Sequence, residues 1–177
     1  MNVNSRKKAT LYLVQGAIIA TLYVTVNYAQ EMFLPFISTV GPVQFRLSEL
    51  LCTLAVFTPA AIPGLTVGCL LSNIISLGVL PLDMIIGSLA TLLAAICAYA
   101  MRNIRLFSVP VPSLFMPVVF NGVLIGLELE LFYIEGAFTF AGFCLQAGLV
   151  ALGELGVCVV LGIPFYLLLR KLPLFRD

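Results

Sequence analysis

Three short stretches of the chain set ionisable or amide side chains into otherwise apolar sequence. They are Arg46 with Glu49 in VQFRLSELL, Asn121 to Glu128 in FNGVLIGLE, and Glu154 in ALGELG, with Gln146 two turns before it. At membrane depth such groups cost about 2.5 to 3.5 kcal/mol each on insertion scales, so each needs a partner, a water-filled cavity or a ligand. Arg46 and Glu49 are spaced i, i+3, which puts them on one helix face where they can pair. An ion pair that merely neutralises itself near an interface is the plain alternative. Asn121 and Glu128 fall on one helical stripe, with Glu128 near the outer end, where capping competes with ligand binding as the explanation. Glu154 lies deep in its helix with no cation at i±3 or i±4, and a polar cavity or bound ligand accounts for it better than any structural role. Asn73, mid-helix in LLSNII, and Asp83, at the start of a helix, are lesser candidates. Several carboxylates against one arginine favour a small ligand that offers N–H donors or positive charge. Phe45, Phe120, Tyr133 and Phe138 supply flat faces for a planar ring.

Other chemistries find little support. Histidine is absent, which removes the commonest general base and metal ligand. Cys52, Cys69, Cys97, Cys144 and Cys158 stand singly in apolar runs and read as small buried hydrophobes rather than metal or disulfide partners. No G-x-x-x-x-G-K-[ST] sequence occurs, so ATP-driven work falls to a partner. A small intramembrane enzyme using Glu49 or Glu154 as acid or base lacks a nucleophile paired with a base. A purely structural subunit leaves Glu154 unexplained. The sequence calls for no cofactor and no metal, and nothing in it points to nucleic acid.

The elements that hold these groups must be membrane helices. Hydrophobic residues make up 62% of the 177 positions and charged ones 10%, against about 25% charged in soluble domains. The expected fold is a single all-α integral membrane domain over 1–177, a six-transmembrane-helix bundle with both termini cytoplasmic. The first span runs from Ala9 to Ala29, too long for a signal-peptide core. The apolar region 43–78 is too long to cross once and is broken by TPAAIPG, giving a hairpin of about 44–58 and 62–78. Further spans follow at about 82–101, 114–129 and 142–169, with ELELFYIEGAFT as an acidic loop. With this topology Arg6, Lys7, Lys8, Arg102, Arg105, Arg170, Lys171 and Arg176 all face the cytoplasm, leaving only Arg46 elsewhere. Tyr12, Tyr28, Tyr99, Tyr133 and Tyr166 fall near span ends, where amphipathic rings favour the interface. In the first span Gly16, Ala17 and Ala20 make a small-residue face that another helix can approach closely.

VQFRLSELL, TPAAIPGLTVGCLLSN, LDMIIGSLATLLAA, FNGVLIGLEL and GELGVCVVLGIP, covering most of 43–165, resemble the substrate-binding (S) components of energy-coupling factor transporters. QFR-x-SE and PAAIPG are similar in particular to the QueT family, assigned to queuosine precursors. The resemblance implies a multi-pass protein of the bacterial plasma membrane that captures solute from outside under a loop at about 30–43. It implies partners: a transmembrane coupling subunit, met through the first helix, and two cytoplasmic ATPases. Gly16 stands where the family's docking motif usually has alanine. The implied ligand is 7-aminomethyl-7-deazaguanine or queuine, with a guanine-like edge and an amine positive at neutral pH. Glu49, Glu128 and Glu154 then share the donors and the ammonium, Asn121 reads the ring carbonyl or an edge nitrogen, and Arg46 fixes Glu49 or Asp83 rather than touching ligand. An S component for another vitamin-like solute is the alternative within the same class.

Overall fold

The computed structural model describes residues 3–34, 43, 45–76, 81–134 and 136–172. The loop expected at 30–43 is therefore described only at its edges, and Glu135 and Arg176 lie outside the described residues. Within them every regular element is helical. The order is α1 (Val3–Phe33), a 3₁₀ helix (Leu47–Val56), α2 (Ala61–Ile75), α3 (Pro81–Ala100), α4 (Val111–Glu128), a π turn (Leu129–Tyr133), α5 (Phe140–Glu154), a second π turn (Leu155–Leu161) and α6 (Gly162–Leu169). Four helical rods are long and apolar enough to cross a membrane: Ser5–Phe33, Pro81–Ala100, Val111–Tyr133 and Phe140–Leu169. The 3₁₀ helix and α2 are shorter, at 10 and 15 residues. Leu13, Phe33, Ile85, Phe140, Leu152 and Val160 are among many large apolar side chains left on the outside, as lipid contact requires.

The helices pack in chain order, α1 on α2, α2 on α3, α3 on α4 and α4 on α5, and the 3₁₀ helix runs through the middle against nearly all of them. Sequence periodicity suggests an ordinary helix over 44–58. The chain winds more tightly because the central slot is lined by fully buried Ala60, Ala61, Ala94, Ala95 and Ala98. A 3₁₀ helix is the slimmer option, and at roughly 2.0 Å per residue it still reaches far with few residues. Its two ends differ. Leu51, Cys52, Leu54 and Ala55 join Leu65, Cys69, Ala95 and Leu169 in an apolar core, whereas Arg46, Ser48 and Glu49 form a polar end.

Two close helix contacts fix the geometry around that end. A Cβ on Gly64 would lie 2.7 Å from the Gly16 carbonyl oxygen, and one on Gly68 would lie 2.7 Å from Tyr23 Cβ, so α1 and α2 nearly touch. On the other side a Cβ on Gly126 would come within 2.6 Å of Ala147 Cα, and one on Gly122 within 3.2 Å of Ala151 Cβ. Small residues four apart allow this in membranes. Gly16 and Ala20 thus lie against α2 of the same chain, while Ala17 faces outward.

Three expectations need correction. The α1 helix runs from Val3 to Phe33, past both ends of the Ala9–Ala29 span, so Arg6, Lys7 and Lys8 ride on its first turns. The acidic stretch after Glu128 is helical as far as Tyr133, and Glu130 is buried within it rather than exposed in a loop. Of the five cysteines expected to be buried, Cys97 is half-buried and Cys144 exposed, while the buried Cys52 and Cys158 thiols each donate to a buried carboxylate.

Candidate functional site

The polar end of the 3₁₀ helix meets the ends of α1, α2 and α3 and the inward faces of α4 and α5. Glu49 is fully buried. Its Oε1 accepts from Tyr23 Oη at 2.6 Å and from Thr91 Oγ1 at 2.8 Å, and its Oε2 accepts from Cys52 Sγ at 3.0 Å. Tyr23 comes from α1 and Thr91 from α3, so this carboxylate ties three elements together. Neither partner stands out in the sequence. Tyr23 lies mid-span, away from the helix ends where membrane tyrosines are looked for, and Thr91 sits in an alanine-rich run.

Arg46 precedes the first 3₁₀ turn. Its guanidinium is held within electrostatic reach of Glu49, Glu154 and Glu128, and its Nη2 lies 3.8 Å from where a Cβ of Gly87 would stand. Gln30, also unremarked in the sequence, brackets this residue: its Nε2 donates to the Phe45 carbonyl and its Oε1 accepts from Leu47 N at 2.7 Å.

Across from them, Glu154 is fully buried at the junction between α5 and the second π turn. It accepts from Asn121 Nδ2 at 3.0 Å and from Cys158 Sγ at 3.3 Å. Glu128 occupies the matching position on α4, immediately before the first π turn, and its carboxyl meets that of Asp83. Asp83 Oδ2 also accepts from Tyr133 Oη, and its backbone carbonyl accepts from Asn73 Nδ2 at 3.1 Å. Both glutamates therefore sit where the helix widens from α to π winding, a local distortion frequent at functional sites.

Of the eight candidate site residues named from the sequence, Arg46, Glu49, Asn73, Asp83, Asn121, Glu128 and Glu154 belong to one connected cluster. Gln146 is half-buried on α5 and makes no hydrogen bond to it among the described residues. Three buried polar atoms of the cluster have no hydrogen-bond partner among the described residues: Arg46 Nη1, Asn121 Oδ1 and Glu128 Oε1. Buried polar atoms are nearly always paired, with protein or with ordered water, so this concentration of unpaired ones marks the cluster as the candidate site.

The QueT transporter family matches this chain over residues 13–171. The chain belongs to the QueT transporter family. As a member of this family with four helices long and apolar enough to cross a membrane, it is a multi-pass protein of the cell membrane. The queuosine precursor transporter QueT of Lactococcus lactis subsp. cremoris (strain MG1363) is 38% identical over 89 residues. That match covers 49% of this chain and 48% of the relative, about half the length of each. No solved structure matches. QueT-family membership agrees with a polar cluster walled in by apolar helices, which can hold a polar solute out of lipid.

Proposed function

We propose that the protein is the solute-capture subunit of an energy-coupling factor importer, binding a queuosine precursor of the 7-aminomethyl-7-deazaguanine type, or queuine, from outside. The observation that carries this reading is the set of unpaired buried acceptors beside paired carboxylates. A carboxylate oxygen has two acceptor sites. Glu154 uses one on each oxygen, so it has capacity left for two ring N–H donors. Glu128 and Asp83, carboxyl against carboxyl, make a seat for the ammonium, which lies between two negative groups and offsets their repulsion.

In this reading the short 3₁₀ helix and α2 act as a hairpin within the membrane, giving six spans with both termini inside and the cluster in the outer half. The cations at the start of α1, after α3 and after α6 support that orientation. Cysteine labelling from outside sealed cells is expected to reach position 137 and not position 108. Labelling at 108 overturns the topology.

A transmembrane coupling subunit and two ATPases supply the energy, and α1 is the docking helix. Gly16 and Ala20 face α2, so the outward Ala17 is the informative position. Ala17→Leu is expected to abolish uptake and leave solute binding intact, and uptake at the wild-type rate removes α1 from the docking surface.

The identity of the solute is tested by mass spectrometry of the compound that co-purifies with the protein. A 7-deazaguanine supports the assignment; a different vitamin-like compound replaces it within the same transport role.

A further inference from the structure

We propose that Arg46 reads the ring carbonyl of the solute, and that Glu49, buried beside it, balances the guanidinium charge through space without touching the solute. The proposal rests on the 7-deazaguanine reading of the same site and assigns its two most conspicuous charges to different tasks. Four observations support it.

The first is hydrogen-bonding capacity. Glu49 accepts from Tyr23, Thr91 and Cys52, which fills three of its roughly four acceptor sites. Little is left for a ligand. The second is polarity. Asn121 spends its Nδ2 on Glu154, and the atom it leaves unpaired is Oδ1, an acceptor. Oδ1 cannot bond a carbonyl oxygen, and the one hydrogen left on Nδ2 sits on an atom already engaged with Glu154. Among the described residues the buried side-chain nitrogen left without a hydrogen-bond partner is Arg46 Nη1. Unpaired acceptors on Asn121 and Glu128 with an unpaired N–H donor on Arg46 complement a guanine-type edge, which carries one carbonyl beside adjacent N–H groups.

The third observation is preorganisation. Gln30 is buried and holds both the Phe45 carbonyl and the Leu47 N–H, so the backbone is pinned on either side of Arg46. A long side chain anchored this way loses less freedom on binding, and a planar fork is well suited to reading an oxygen at fixed depth. A Cβ on Gly87 would press on Asn73 Nδ2 at 3.0 Å and stand 3.8 Å from Arg46 Nη2, so glycine there lets these two side chains lie close to α3. The fourth is placement. In the proposed topology Arg46 is the cation that departs from the cytoplasmic clustering of the other eight, and a half-buried arginine with a buried, unpaired Nη1 is costly at membrane depth unless it has work to do.

The test compares two ligands on the full-length protein in detergent or nanodiscs: 7-aminomethyl-7-deazaguanine, and its diamino analogue, in which an amine replaces the ring carbonyl. The analogue turns an acceptor into a donor aimed at Arg46 and also removes the proton of the adjacent ring nitrogen, so the part of the preference due to Arg46 is the part that its substitution removes. Wild type is expected to prefer the carbonyl ligand by about 100-fold or more, because a site built to bond a polar group rejects an analogue lacking it. Arg46→Gln is expected to collapse that ratio by at least about tenfold. Glu49→Gln is expected to preserve the ratio even where absolute affinity falls. If Arg46→Gln does not fold, Arg46→Lys gives the same readout, since an ammonium keeps the charge and loses the fork. An unchanged ratio in the arginine variants, or a ratio that collapses in Glu49→Gln alone, overturns the assignment. If wild type binds neither compound, the 7-deazaguanine reading itself fails and this proposal falls with it.

Discussion

Glu49 and Glu154 are both 0% exposed, both lie in the centre of the bundle, and both have a cysteine thiol as a neighbour. They differ in what surrounds the rest of the carboxylate. Glu49 is closed off by a tyrosine and a threonine from two other helices, whereas Glu154 keeps free acceptor capacity beside an asparagine whose own acceptor is unpaired. Glu128, one helix away, repeats the second pattern with an unpaired Oε1. Burial therefore does not distinguish a structural carboxylate from a ligand-facing one in this protein. Unused hydrogen-bonding capacity does. The first region is a knot that holds α1, the 3₁₀ helix and α3 together, and the second is the region proposed above to face the solute.

If that division is right, substitutions in the two regions change different quantities. The largest effect is expected from Glu49→Leu, which leaves Tyr23 Oη, Thr91 Oγ1 and the nearby Arg46 charge without their partner. Breaking a buried charged network costs about 3 to 5 kcal/mol, to be read as lost thermal stability and poor accumulation in the membrane. A stable, well-accumulating variant contradicts the knot. Glu128→Gln comes next and acts on the other quantity. It replaces an acceptor facing the solute's donors with a donor, at an expected cost of about 2 to 5 kcal/mol in affinity, with little change in melting temperature.

Tyr23→Phe removes one hydroxyl bonded to the Glu49 carboxylate, a loss of about 1.5 to 3 kcal/mol in stability for a hydrogen bond to a charged group. Solute affinity is expected to hold, and a matching loss of affinity places Glu49 in the receptor instead. The smallest effect belongs to the scaffold behind the receptor. In Gly126→Ala the new Cβ must push α5 away from α4 by a fraction of an ångström, at about 1 to 3 kcal/mol of stability, with affinity falling because Asn121 and Glu154 move apart.

Much of this arrangement was legible in the residues alone. Arg46, Glu49, Asn121, Glu128 and Glu154 stand out because a polar group in a run of Leu, Val and Ala has few innocent explanations. Their partners were not legible for the opposite reason. A tyrosine, a threonine or a glutamine such as Tyr23, Thr91 or Gln30 is unremarkable in a membrane helix, and only three-dimensional proximity reveals that it completes a charge. The helix boundaries blurred where winding changes. Hydropathy is the same for α, 3₁₀ and π segments, so neither the tight hub at Leu47–Val56 nor the widened turns after Glu128 and Glu154 left a periodic trace. The small-residue pairs were half visible. Gly16 and Ala20 were noticed as a smooth face, but a smooth face does not say what covers it, and in this chain Gly64 and Gly68 of α2 do.

The central claim is that the unpaired polar atoms around Glu128 and Glu154 form the solute site and that the Glu49 knot does not. Titration calorimetry of 7-aminomethyl-7-deazaguanine into wild type, Glu128→Gln, Glu154→Gln and Tyr23→Phe addresses it in one series. The account predicts one solute per chain, affinity reduced by about 30-fold or more in both glutamine variants, and affinity near wild type in Tyr23→Phe. Near-native affinity in both glutamine variants contradicts it.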